Sequence, residues 1–482
     1  MKNNYRLVIL FLSLIFTSFM NAEVMDLDLD KAKQIALDNS PSIQIAREGV
    51  KEAKAKVIES RAGFMPQINA FSSLQHAWDL QENKIPNFLK PSLAPTYRQV
   101  GGALKTVGEK IDDQELIQEG QGMINSVDMM PDYLQMAFGL ENVLTYGVQL
   151  QQPLFSGGSI WNGYKISKLG VDIAEAQLEN SRQSLLQQVT SNYYSTLFAK
   201  SAVDVSREAV ESAQENLEQV QKFYDQGKAS KLDLLRAEVQ LANFKPNLVS
   251  AKNRLEMSIS QLTTTLGLDN DVDYVFTDSL SYRHSPYLDK SLQDLISLAI
   301  KNRPEMNIIR NQKEITHKQL SMVRGSRLPS LNLSTSYQYQ GMRNDLDFNS
   351  DDFNKSFNTT VSLSLPLFNG FKKHSQVQQA KVQLNETREQ KSSTTDRIRL
   401  EVKNAYLSME EAREKVNTQE VTIDQAQEAL RLAKLMYAEG ASTQLDVLNA
   451  NLSLNQAKMN YRQSLLEYNL ALADLKKAIN EL

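Results

Sequence analysis

The chain has 482 residues, 41% of them hydrophobic and 23% charged, with a formal net charge of −4 and no cysteine. That composition excludes a disulfide framework, a thiolate metal site and a lipid-anchored N-terminal cysteine. A mildly acidic chain without a basic patch also argues against nucleic acid as a partner.

In chain order, residues 1–22 come first and read as a secretory signal: Lys2 and Arg6 precede an apolar run from Leu7 to Phe19. Loss of Lys2 and Arg6 would make the mature chain more acidic. No later segment holds the roughly 18 uninterrupted apolar residues of a membrane-spanning helix, so any bilayer crossing must use strands.

The rest says nearly the same thing twice. Asn39-Ser40-Pro41 recurs as Asn302-Arg303-Pro304, Pro153-Leu154-Phe155 as Pro366-Leu367-Phe368, and Gly227 to Leu235 as Gly440 to Leu448. Self-similarity at a fixed spacing marks a tandem repeat. The first copy is expected over 23–266 and the second over 292–482, with a linker at 267–291.

Each copy reads helix, strand, strand, long helix, long helix. In the first, strands are expected at about 67–78 and 140–152; Leu144, Tyr146, Val148 and Leu150 alternate with Thr145, Gly147, Gln149 and Gln151. In the second they are expected at about 330–340 and 356–365, where Leu331, Leu333, Thr335, Tyr337 and Tyr339 share one face. The opposite faces are uncharged Ser, Thr, Asn and Gln. One apolar face and one small polar face suit a membrane barrel strand around a water-filled lumen, and equally a soluble hairpin on a core. Between the first two strands lies an insert, around His76 to Phe138, that the second copy lacks. It holds Pro86, Pro91, Pro95 and Gly101-Gly102, and a short helix is expected from Thr106 to Met123.

The long helices carry a strict seven-residue repeat: Val402, Met409, Val416, Ile423, Leu430 and Tyr437, and in the first copy Val189, Val203, Val210, Leu217 and Tyr224 with Thr196 interrupting. Such a repeat keeps a narrow seam facing a partner helix, as in a coiled coil. Wide polar faces beside that seam suit a wall one helix thick. The span from each Pro-Leu-Phe to its tip glycine would make a helix of roughly 110 Å.

Four strands cannot close a barrel, and open edges are not tolerated in lipid. Membrane strands would therefore force oligomerisation. Three copies give twelve strands, a cylinder about 24 Å across, and twelve helices, a ring with about 28 Å clear. The fold class expected is α+β: a helical coiled-coil tunnel plus four strands contributed to a homotrimeric twelve-stranded transmembrane barrel.

At this point the residues resemble a known family. The tandem repeat, the joints Pro-Leu-Phe-Ser-Gly-Gly and Pro-Leu-Phe-Asn-Gly-Phe, and the tips Tyr224-Asp225-Gln226-Gly227 with Leu232-Asp233-Leu234-Leu235 and Tyr437-Ala438-Glu439-Gly440 with Leu445-Asp446-Val447-Leu448 look like TolC-type outer-membrane efflux proteins. The resemblance implies a passive exit duct of an efflux or type I secretion system. It implies outer-membrane lipid around the barrel and a tunnel in the periplasm. The partners implied are a periplasmic adaptor docking at Tyr224, Gly227, Leu232, Leu235, Gly440, Leu445 and Leu448, and an inner-membrane pump.

Gly227 and Gly440 suit helix C-caps, and Asp233 and Asp446 suit the positive ends of the returning helices. The family implies a further role: carboxylates at the second tip ring a closed periplasmic entrance. Asp446 matches the first ring position and Asn449 the second, so one carboxylate per copy remains. Ser442 stands where the best-known gate has an Arg. A pair such as Arg236 with Asp446, with Asp233 and Tyr437 nearby, is the expected latch, and Lys228 and Lys231 are further candidate cations.

Catalytic sites are not expected. The 4 histidines, His76, His284, His317 and His374, lack metal-ligand spacing, and Gly157-Gly158 is not followed by Gly-Lys-Ser/Thr. The chain reads as a non-enzyme without cofactor or metal. Two alternatives remain open: a soluble periplasmic coiled-coil scaffold or adaptor, and a conduit for proteins instead of drugs or metals.

Overall fold

A computed structural model describes residues 25–137, 139–268 and 274–482; the expected secretory signal lies outside them. The chain divides into two compact units. Among the described residues, no helix is long and apolar enough to cross a membrane.

The helical unit opens with β1 (Met25–Leu27), α1 (Leu29–Asn39) and α2 (Pro41–Ala62). The strand unit interrupts it with β2 (Gln67–His76), β3 (Glu82–Pro86), α3 (Leu89–Ile111), α4 (Gln114–Asp128), β4 (Tyr133–Ala137) and β5 (Asn142–Ser156). The helical unit resumes with α5 (Ser159–Asp225), α6 (Lys231–Leu266), β6 (Tyr274–Phe276), a 3-10 turn at Pro286–Asp289, α7 (Leu292–Asn302) and α8 (Pro304–Gly325). Then come β7 (Ser330–Arg343) and β8 (Phe353–Ser364) of the strand unit, and α9 (Lys372–Ala438) and α10 (Gln444–Ala478) of the helical unit.

The strands β2, β5, β7 and β8 form one antiparallel sheet in the order β2-β5-β7-β8. Gln67 faces Gln151, Asn142 faces Arg343, and Ser330 faces Ser364. The bounds differ from the sequence expectation where local chemistry decides. β5 runs on to Ser156 because its register shifts between Pro153 and Phe155, and a bulge tolerates a residue with no N–H to donate. β8 starts earlier, at Phe353, because Phe353 pairs with Gly341 at the far end of β7, which itself runs on to Arg343. The apolar face is left bare: Ile68, Val148, Tyr337, Phe357, Val361 and Leu363 are all exposed. Among the described residues both edges, β2 and β8, lack a strand partner.

The insert is not one short helix. Asp112 takes a left-handed conformation (φ 54°) and ends α3, and Asp113 caps α4 by accepting from the backbone N–H groups of Glu115 and Leu116. α3 also reaches back to Leu89 through Pro91, and Pro95 lies inside it.

In the helical unit α5 and α9 are each 67 residues, about 100 Å long. α5 pairs with α6, α9 with α10, and α10 lies against α5. The seven-residue seam is buried at Val189, Val203, Val402, Met409, Val416 and Leu430. Thr196 does not interrupt it: fully buried, its hydroxyl donates to the carbonyls of Asn192 and Ser258. The main core gathers α1, α5, α6, α7, α9 and α10 around Tyr193, Leu295, Ile398 and Tyr468. There the Tyr193 hydroxyl bonds to Leu27 O (3.1 Å) and Asp278 Oδ2 (2.9 Å), and Arg303 is clamped between Glu305 and Glu401.

The repeat is asymmetric in one respect. α8 packs against both α5 and α9. Its counterpart α2 meets α5 through Ser60 and Ser167 (2.7 Å), while Ile45 and Ile58 are 73% and 69% exposed.

Candidate functional site

The two hairpin tips are built alike. α5 ends at Asp225, and Gly227 (φ 74°) turns the chain so that Gly227 N–H bonds to Tyr224 O (2.9 Å) and Lys228 N–H to Phe223 O (2.8 Å). α9 ends at Ala438, and Gly440 (φ 74°) places Gly440 N–H on Tyr437 O (3.1 Å) and Ala441 N–H on Met436 O (2.8 Å). A left-handed residue is what satisfies these orphan carbonyls, and glycine adopts it without strain.

Each returning helix starts with a capping box. In the first, Ser230 Oγ accepts from Asp233 N–H (3.1 Å) while Asp233 Oδ2 accepts from Ser230 N–H (3.1 Å). In the second, Asp446 Oδ2 accepts from Thr443 N–H (2.9 Å), Thr443 Oγ1 (2.7 Å) and Ser442 Oγ (2.8 Å). The Thr443 hydroxyl first, then its backbone N–H and the Ser442 hydroxyl, hold the Asp446 carboxyl below its ordinary value. Within one chain Arg236 lies 3.8 Å from Asp233 on its own helix, and Asp446 is occupied by Ser442 and Thr443. The expected Arg236–Asp446 pair is thus not formed inside the chain, because each partner is claimed by a nearer group. Ser442 donates its hydroxyl to the Asp446 carboxylate from outside the box.

Tyr437 joins the tips. Its ring packs against Phe223 (5.7 Å between centroids), against the cluster of Val220, Leu234 and Ala237, and against that of Leu430, Val447 and Leu454. Its hydroxyl is buried without a partner; burial, and secondarily the charge of Asp233, push it above the usual tyrosine range. Deeper along the hairpins Asn451 Nδ2 donates to Ser212 Oγ (3.1 Å), and Lys458 Nζ to Glu208 Oε2 (2.5 Å). Gln187 Nε2 likewise donates to Asp474 Oδ1 (3.0 Å), farther from the tips.

Of the remaining tip residues, Leu232, Leu235 and Leu448 come together with Val239, Phe244 and Leu452 around an apolar groove of about 380 Å³ between α6 and α10. Tyr224 is exposed under the Lys231 ammonium (5.7 Å), Leu445 and Asn449 are exposed, and Lys228 is exposed at the first turn. Gln240, Gln444 and Asn216 were not singled out from the sequence. Gln240 and Gln444 are buried with both amide atoms unpartnered, and Asn216 Nδ2 is likewise unpartnered. The signal was there: Gln444, Val447, Asn451 and Leu454 follow the alternating three-four spacing of one buried stripe, with amides at every other place.

Comparison with known proteins places this geometry. The family described as outer membrane efflux protein matches residues 141–268 and 295–481. Outer membrane protein TolC of Salmonella enteritidis is 23% identical over 348 residues, 71% of this chain and 70% of that protein. Alkaline protease secretion protein AprF of Pseudomonas aeruginosa is 21% identical over 334 residues, 68% of each. Among solved structures, the outer membrane protein VceC of Vibrio cholerae superposes with a TM-score of 0.68 at 18% identity, covering 94% of this chain and 96% of that one. That likeness carries the α+β fold, and the family match carries the location: the chain belongs to the outer membrane efflux protein family, the TolC-type channels of the outer membrane.

Proposed function

We propose that three copies of this chain form a passive exit duct, working with a periplasmic adaptor and an inner-membrane pump of an efflux or secretion system. The soluble scaffold is set aside by the family match. The observation that carries the reading is the four-stranded sheet with a bare apolar face and, among the described residues, two unpaired edges, β2 and β8. In lipid such edges must be paired, and here only another copy offers the complementary edge. The asymmetry of α2 and α8 supports the same conclusion. α8 sits between two long helices of its own chain, and α2 keeps a free apolar flank where the corresponding long helix of a neighbour would lie.

In this reading the tips are the periplasmic entrance. Asp446 supplies one carboxylate per copy, Asn449 none. Tyr437, beside Asp233, is the contact that must break for the second hairpin to swing from the first. The groove of Leu232, Leu235, Val239 and Leu448 receives the adaptor. Chemical crosslinking of detergent-extracted outer membranes, with the mass of the purified particle, tests the assembly: a ladder ending at three copies is expected. A folded, water-soluble monomer of the mature chain would overturn it.

A further inference from the structure

The insert has its own architecture. The β2–β5 ladder is prolonged by Ala77 N–H to Glu141 O (2.7 Å), then by the ribbon β3–β4, and the ribbon carries the helical hairpin α3–α4. Arg98 bridges to Asp128 (2.6 Å) and Lys90 to Asp132 (2.6 Å) across its base. The two helices approach on glycine: a Cβ at Gly101 would meet Gly120 O at 2.6 Å, and one at Gly108 would meet Ile117 N at 2.9 Å. This seam uses residues with almost no side chain, so it buries little apolar surface.

The apolar residues of α3 lie beside the seam instead. Tyr97, Leu104 and Ile111 are seven apart, and Leu93, Val100 and Val107 fall seven apart between them. That is the a/d pattern of a coiled coil sustained along the helix. Gly101 and Gly108 sit one place after Val100 and Val107, so α4 covers the adjoining face and leaves the stripe on the flank. Val107 is 50% and Ile111 61% exposed. An a/d stripe is shaped for another helix; Leu93 and Leu104 are half-buried beside α4, while among the described residues Tyr97, Val100, Val107 and Ile111 stay exposed.

What covers it follows from where it is carried. The insert leaves the sheet from β2, one of the two open edges, at the end where β2 and β5 do not continue into α2 and α5. The edge that must meet a neighbouring copy thus brings a hairpin with it. The family match begins at residue 141, so the insert is outside it. We infer that the α3–α4 hairpin is a self-association module, packing its Val100–Val107–Ile111 flank against the same hairpin of neighbouring copies, so that helices bundle at the mouth of the duct. This rests on the three-copy reading above.

The absence of cysteine makes the test direct. Val107→Cys places one thiol on the stripe, and Glu109→Cys one on the opposite, solvated side of α3. Each purified full-length assembly is treated in detergent with a short-spacer bismaleimide, while light scattering reports the number of copies. Covalent dimers from Val107→Cys at least tenfold above Glu109→Cys, in a three-copy particle, are expected. Equal yields from both positions would mean freely colliding hairpins and overturn the inference. No crosslink from either in an intact trimer would give the stripe to lipid or another protein, overturning the inference and leaving the trimer standing. A particle that is not a trimer would overturn both.

Discussion

Gln444 is 2% exposed at the start of α10, and neither its Oε1 nor its Nε2 has a hydrogen-bond partner. A buried polar group left unsatisfied costs about 1–3 kcal/mol. Gln444→Met keeps the length of the side chain and removes both polar atoms, so that cost disappears from the packed tip. The tip should gain about 1–3 kcal/mol, making its open form roughly 5- to 150-fold rarer. Hydrogen exchange on the backbone amides of residues 430–455, measured on the detergent-solubilised full chain, reads this directly, because local opening governs exchange there. Protection should rise by that factor, and single-channel openings in planar bilayers should become rarer. Gln427→Met, on the exposed face of α9, is the control and should change neither. Exchange in Gln444→Met within twofold of the parent, or faster, would refute the reading that the unpartnered Gln444 amide destabilises the packed tip.

Asp446 has a lowered pKa, so its box is intact above the ordinary aspartate range and is lost as pH falls through the lowered value. Conductance should therefore stay flat near neutrality and rise only in acid, whereas Asp446→Asn should raise it at pH 7; an unchanged trace for that variant would count against the gate reading. Gly440→Ala forces a side chain into φ 74° and should destabilise the second tip by about 1–2 kcal/mol, seen as faster exchange confined to its neighbourhood. Tyr437→Ala removes the ring shared by two clusters, a loss of about 3 kcal/mol, and should increase antibiotic leak. Tyr437→Phe keeps the ring and sheds an unpartnered hydroxyl, so leak should not rise; if it does, that hydroxyl makes a closing bond to Asp233 in the assembly.

Legibility followed the strength of the local signal. Residues repeated at fixed spacing imposed their periods: Val402 to Leu430 buries one face of a helix, and Leu331 to Tyr339 sorts its larger side chains onto one face of β7. Gly227, Gly440, Asp233 and Asp446 were readable because caps are determined within a few residues. Long-range choices were not readable in that way. Arg236 has Asp233 three residues away on its own helix, whereas a meeting with Asp446 depends on tertiary and inter-copy packing, which local spacing does not carry. Thr196 looked like a break because composition cannot show that its hydroxyl has two carbonyls in reach. The α3–α4 turn rests on Asp112 in a left-handed conformation, which a non-glycine residue seldom announces.

The unequal surroundings of α2 and α8 have a kinetic consequence. On the ring reading, every circuit contains two sorts of junction of the same design. The sort made by α8 is guaranteed by covalent continuity and closes at a rate independent of how much protein is present. The sort made by α2 waits for an encounter, so its half-time lengthens as synthesis slows. A newly exported polypeptide would then pass through a stage in which half its seams are sealed and half are sticky, and the cell's periplasmic chaperones would meet it there.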